Sequence, residues 1–212
     1  MLRMVVIFAL MVLSSSPSIA AEPLPAFERY ACEGDYFRAL VPSSWTRSDR
    51  NAPYADMTRV AGARFEGPPT GEGVPASIAL YWYSGEKSFT TPESYINARL
   101  GSMVREDTDR GQTADVKVAG RKGTAFQITT FELIMGPPSL ANEPMDEKPG
   151  IMYRRPPDRK APTVTVYMDE QYIVLPAAKG YFVLHYRAPV STVGSYQAIF
   201  DRVTASFEPL VK

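Results

Sequence analysis

The alternation of apolar and polar positions is sharpest from Gly180 to Ala188. Phe182, Leu184 and Tyr186 fall on one face of a predicted strand, and Tyr181, Val183, His185 and Arg187 fall on the other. Both faces are apolar in the first half, which predicts a sheet covered on both sides there. The second face turns polar at His185 and Arg187, so the cover is expected to stop at that level and leave the strand end near solvent. Gln171 to Pro176 is rich in β-branched and aromatic residues, and Ala177-Ala178-Lys179-Gly180 supplies a short connection, so the two segments read as a hairpin. After Pro189 the period becomes helical. Tyr196, Ile199, Phe200, Val203 and Phe207 form one stripe, ended by Pro209, that must dock on a sheet face.

The same reading upstream predicts a strand from Tyr36 that ends at Pro42, with Trp45 as a core plug. A second strand spans residues 57–66 and is broken by the Gly/Pro-rich run Gly67 to Pro75. In the third, Ile78, Leu80 and Trp82 alternate with Ala79, Tyr81 and Tyr83, two apolar faces that suit an interior position. Thr91-Pro92-Glu93 carries a threonine cap, a proline at the first helical position and an acid in the first turn. The helix it opens, with Ile96, Leu100, Met103 and Val104 at helical spacing, is the expected cover of the opposite sheet face. Val116 to Leu133 reads as a further hairpin turning near Gly120. From Gly136 to Pro162 the pattern vanishes, and seven of the 19 prolines lie there, which marks an insert. Its charges are segregated, with Glu143, Asp146 and Glu147 first and Arg154, Arg155, Arg159 and Lys160 after them.

Composition narrows the class. The 212 residues are 45% hydrophobic, enough for one domain with a large core. Lys plus Arg and Asp plus Glu number 23 each, a balance that argues against a nucleic-acid protein. Arg3, the ten-residue run Met4 to Leu13 and the small-residue site Ser18-Ile19-Ala20 have the order of a secretory signal peptide, too short to span a bilayer. Cleavage is expected after Ala20, with Ala21 as the next choice, leaving a periplasmic or secreted chain with no transmembrane segment. Residues 21–33 then form a leader and residues 34–208 the domain, carrying the insert at 136–162. Cys32 is the only cysteine, so no internal disulfide forms. Arg29 stands where a lipidation site needs an apolar residue, and Cys32 is expected to be a small packed side chain.

Candidate chemistry is sparse. A serine hydrolase would need His185, the only histidine, beside a hydroxyl such as Ser43 or Ser44, yet no Gly-x-Ser-x-Gly elbow occurs. One His and one Cys cannot build a nitrogen and sulfur metal site. Asp169-Glu170, or Glu143 with Asp146 and Glu147, could hold a hard cation, though neither set has EF-hand spacing and both read as solvated acidic loops. Gly71-Glu72-Gly73 opens no helix and is no phosphate cradle. No catalytic set and no cofactor are assigned.

Several pieces together resemble the PsbP-like family: Phe37 through Pro42 leading to Trp45, the helix after Thr91-Pro92, the turn Val118-Ala-Gly-Arg-Lys122, the strand Tyr181-Phe-Val-Leu-His-Tyr-Arg-Ala-Pro189, and the final helix ending Val203-Thr-Ala-Ser-Phe207. The resemblance covers roughly residues 34–208. It implies an α+β fold, an α/β/α sandwich whose central, mostly antiparallel sheet is covered by helices on both faces. It also implies accessory or binding work without catalysis. The expectation is a monomeric envelope protein that meets a protein partner through His185, Arg187, Arg154, Arg155, Arg159 and Lys160.

Overall fold

A computed structural model describes residues 24–48, 60–84, 91–101, 111–135, 151–154 and 163–211. Its strands are β1 (Phe27–Ala31), β2 (Phe37–Pro42), β3 (Thr46–Ser48), β4 (Val60–Pro69), β5 (Pro75–Ser84), β6 (Thr113–Val118), β7 (Arg121–Met135), β8 (Ile151–Arg154), β9 (Thr163–Ala177), β10 (Gly180–Pro189) and β11 (Glu208–Pro209). Among the described residues there are two helices, α1 (Pro92–Leu100) and α2 (Val193–Ser206). The principal sheet runs β3-β4-β5-β10-β9-β7-β6, with β8 added to the far end of β9, and a small second sheet runs β1-β2-β11. All the registers are antiparallel, and the architecture is α+β.

β5 and β10 are central, as their two apolar faces predict. Phe182, Leu184 and Tyr186 share one core with Ile78, Leu80 and Trp82, and that face receives α2 through Ile199, Phe200 and Val203. The small sheet joins the same core with Phe37 and Val41, as does Trp45 from the turn after β2, its ring meeting Tyr196 edge-on at 5.9 Å. On the other face Tyr81, Tyr83, Tyr181 and Val183 pack with Tyr95 and Ile96 of α1. Cover therefore differs between the faces. One carries a helix and a three-stranded sheet, and the other carries the nine-residue α1 over part of its extent. Thr91 caps α1 as its sequence predicts, with its Oγ1 accepting from Ser94 N at 3.1 Å while Ser94 Oγ accepts from Thr91 N at 3.3 Å.

Both predicted hairpins form. Ala119 and Gly120 turn between β6 and β7 with positive φ at both positions, which matches the right-handed twist of the strands. At the start of β10, Gly180 has φ 146°, and a Cβ there would lie 2.0 Å from the Tyr83 carbonyl oxygen, so a side chain cannot be accommodated.

Four expectations need correction. The segment read as a patternless leader contains β1, paired with β2 from Phe27 to Ala31. It gave no periodic signal because only Tyr30 is buried in this short edge strand. Within the span read as an insert, Ile151–Arg154 pair with β9, since an extended edge needs only four residues of complementary backbone. Helix α2 ends at Ser206, before Pro209. Phe207 turns into the core and Glu208-Pro209 pairs with β2 instead. Asp169-Glu170, read as a solvated loop, lies in the middle of the 15-residue β9 with both residues buried.

The thiol of Cys32 is 2% exposed and unbridged, and burial pushes it up to about 11, so it stays a protonated packing group.

Candidate functional site

Strand alternation sends Glu170 and Asp169 to opposite faces, where each becomes the centre of a polar cluster. The Glu170 cluster is assembled by register. Glu170 stands directly across from Arg187 on β10 and Ile128 on β7, and one rung away Tyr172 stands across from His185 and Phe126. The rings of that second rung stack in a row, with Phe126 and Tyr172 4.8 Å apart and Tyr172 and His185 4.2 Å apart. Glu170 Oε2 accepts from His185 Nε2 at 3.0 Å and from the Tyr172 hydroxyl. Its Oε1 accepts from Thr130 Oγ1 at 2.5 Å and Arg187 Nε at 3.3 Å. Arg187 Nη1 also meets Glu132 at 2.8 Å. From α1, the Arg99 guanidinium covers the Tyr172 ring at 5.5 Å.

Burial opposes ionisation of Glu170, yet the donors from His185, Thr130 and Tyr172 outweigh it and hold the carboxyl well below the usual range. Burial pushes His185 down, and the Arg99 and Arg64 charges act the same way, against the opposing pull of Glu170. A neutral imidazole with its proton on Nε2 satisfies both groups. The Tyr172 hydroxyl is pushed up, first by burial and then by the Glu170 charge.

His185 and Arg187 therefore do not stand at an open rim. Their side chains are 13% and 15% exposed and are engaged by Glu170 on the adjacent β9 and, for Arg187, by Glu132 on β7 beyond it. The cover was expected to stop there because the partner acid on β9 could not be read from β10 alone. Among the described residues the structure does not bring His185 to a serine. Ser43 Oγ donates to the Ala26 carbonyl at the end of β2, a strand that packs on the other side of the sheet. Thr130 and Tyr172, the hydroxyls beside His185, both donate to Glu170. Asp169 and Glu170 diverge and cannot hold one cation together, and no group of three metal-ligating side chains occurs among the described residues. Arg154 lies on β8, across from Thr163. Arg155, Arg159, Lys160, Glu143, Asp146 and Glu147 lie outside the described residues, as does the proposed signal segment 1–20.

The Asp169 cluster opens on a cleft of about 680 Å³ between α2 and the β6, β7 and β9 edge of the sheet. Gln127, Gln171, Gln197, Asp201 and Lys117 are its main polar lining, and Val118, Ile173 and Phe200 form apolar wall. Gln127 Nε2 donates to both oxygens of Asp169, at 2.7 and 2.8 Å. Gln171 Nε2 donates to Gln197 Oε1 at 2.7 Å, and Gln197 Nε2 to Asp201 Oδ1 at 3.0 Å. Gln127, Gln171, Gln197 and Asp201 emerge as candidate site residues only in the structure. Two signals were available: glutamines at 127 and 171 interrupting otherwise apolar strands, and the i, i+4 pair Gln197 and Asp201 beside the stripe of α2.

No family model and no curated protein matches the chain. Two solved structures are similar over most of its length. The cyanobacterial PsbP protein CyanoP from Synechocystis shares 10% identity at a TM-score of 0.45, covering 93% of this chain and 98% of its own. A protein from Bacteroides thetaiotaomicron shares 12% identity at a TM-score of 0.43 over 85% of this chain, which spans 47% of the length of that protein. No helix among the described residues is long and apolar enough to cross a membrane.

Proposed function

We propose that this protein is an exported accessory module that binds a ligand in the cleft beside α2 and does not transform it. The observation that carries this reading is the cleft itself. Its volume of about 680 Å³ lies in the range of small-molecule sites, and polar side chains from β7, β9 and α2 converge on apolar walls there. A non-catalytic role is supported by the other cluster, where the Thr130 and Tyr172 hydroxyls donate to Glu170 and, among the described residues, none is handed to the imidazole. Export is supported by the charged, apolar and small-residue order of residues 1–20.

The test is ligand-observed NMR with a chemically diverse fragment set, comparing the mature protein with Ala205→Trp. Ala205 is an exposed lining residue of α2, so the indole fills the cleft without entering the core. Fragments displaced by the substitution support the reading. A set of hits that all persist in the variant, or no hits at all, rejects it.

A further inference from the structure

The acids of the cleft decide the polarity of the amides around it. A carboxylate accepts only donors, so Asp169 commits the Gln127 amide nitrogen inward and turns Gln127 Oε1 away from it. Asp201 sets a second chain in the same way. It takes the nitrogen of Gln197, Gln197 Oε1 then takes the nitrogen of Gln171, and the oxygen of Gln171 is what remains. Gln127 and Gln171 are direct cross-strand partners, so their side chains leave the sheet about 5 Å apart. Both glutamines make these bonds through their nitrogens, which leaves the two oxygens toward the cleft. The cleft thus presents two amide oxygens and the Asp201 carboxylate, backed by the buried Asp169. Lys117, exposed on the β6 edge, is the only cation among the lining residues.

We infer that this cleft takes an organic cation, an alkyl ammonium or guanidinium group, whose N–H donors meet Gln127 Oε1, Gln171 Oε1 and Asp201. The inference rests on the reading of the cleft as the binding site. A charged donor is favoured over a neutral one because hydrogen bonds to ionised groups are stronger and the Asp201 carboxylate lines the cleft, with Asp169 buried behind Gln127. The apolar wall of Val118, Ile173 and Phe200 suits the hydrocarbon stem that carries such a group. The cation has two possible sources, a free amine or an arginine or lysine side chain of a partner.

Calorimetric titration of the mature protein with agmatine, with acetyl-Gly-Arg-Gly-amide and with its neutral citrulline counterpart tests the chemistry and separates the sources. The expected result is binding of at least one cation, with the citrulline peptide weaker by about tenfold or more. Asp201→Asn, at an exposed helix position, and Gln171→Leu are each expected to weaken that cation by about tenfold. Binding of agmatine alone points to a free amine, binding of the peptide alone to a partner side chain, and either supports the proposal. Equal affinity for arginine and citrulline peptides, unchanged affinity in both variants, or no heat with either cation overturns it. If neutral fragments are still displaced by Ala205→Trp in that event, the cleft remains a binding site for other chemistry; if none is, both readings fall.

Discussion

Asp169 and Glu170 are neighbours in the chain and face opposite sides of the same strand, and the polar groups around them are organised in opposite ways. Glu170 accepts from four side chains drawn from three strands, so its cluster consumes its own hydrogen-bonding capacity. Asp169 accepts from Gln127, whose carbonyl then points outward, and the neighbouring Gln171, Gln197 and Asp201 chain leaves a second carbonyl in the same state. The first cluster is closed and the second is open toward a cleft. Polar residues in a sheet do not by themselves mark a site. The balance of donors and acceptors within each cluster does, because a closed network gives a ligand nothing to complete.

The contrast can be broken most forcefully at Glu170. Replacing it with Ala leaves His185, Arg187 and Tyr172 donors buried without their acceptor, and the expected loss of stability in urea denaturation is about 3–5 kcal/mol. A loss below about 1 kcal/mol would mean the cluster is not closed.

Acid sharpens the contrast next. His185 is held below its ordinary value in the folded chain, so its contribution is present above the unfolded value of about 6.5 and is lost as pH falls. Stability should fall by up to about 1.4 kcal/mol per pH unit there, and Glu170, held low as well, extends the loss in the same direction below about pH 4.3. The slope is assignable because His185 is the only histidine, and His185→Gln should flatten it between about pH 7.5 and 5.5. A wild-type stability that rises on acidification through this window would show an imidazolium in the folded protein instead.

Removing one donor has a smaller effect. Tyr172→Phe keeps the stacked ring and deletes the hydroxyl that Glu170 accepts, at an expected cost of about 1–2 kcal/mol. The smallest effect belongs to the open cluster. Asp201→Asn, at an exposed position, should change stability by no more than about 0.5 kcal/mol while weakening binding of the cation about tenfold. A large stability loss there would make the second cluster structural too.

Much of this was legible before any coordinates. The two-faced apolar pattern of Ile78 to Tyr83 and Tyr181 to Leu184 placed β5 and β10 in the sheet centre, and Thr91-Pro92 and the Tyr196 to Val203 stripe located both helices. The alternation Val164, Val166, Met168, Glu170, Tyr172 and Val174 was also in the chain, and it carries Glu170 onto a buried face. It was obscured because two adjacent acids carry the signature of a solvated loop, and only a partner on another strand makes burying one of them tolerable.

The chain by itself determined its α+β class and a sheet with two apolar faces, because strand and helix periods are local and repeat within a few residues. Tertiary structure alone decided which polar residues are spent on one another and which remain available. That depends on cross-strand register, which pairs Glu170 with Arg187 and Gln127 with Gln171 across 17 and 44 residues of sequence. A one-residue slip of β9 would carry Glu170 and Asp169 to each other's faces and break both sets of pairs.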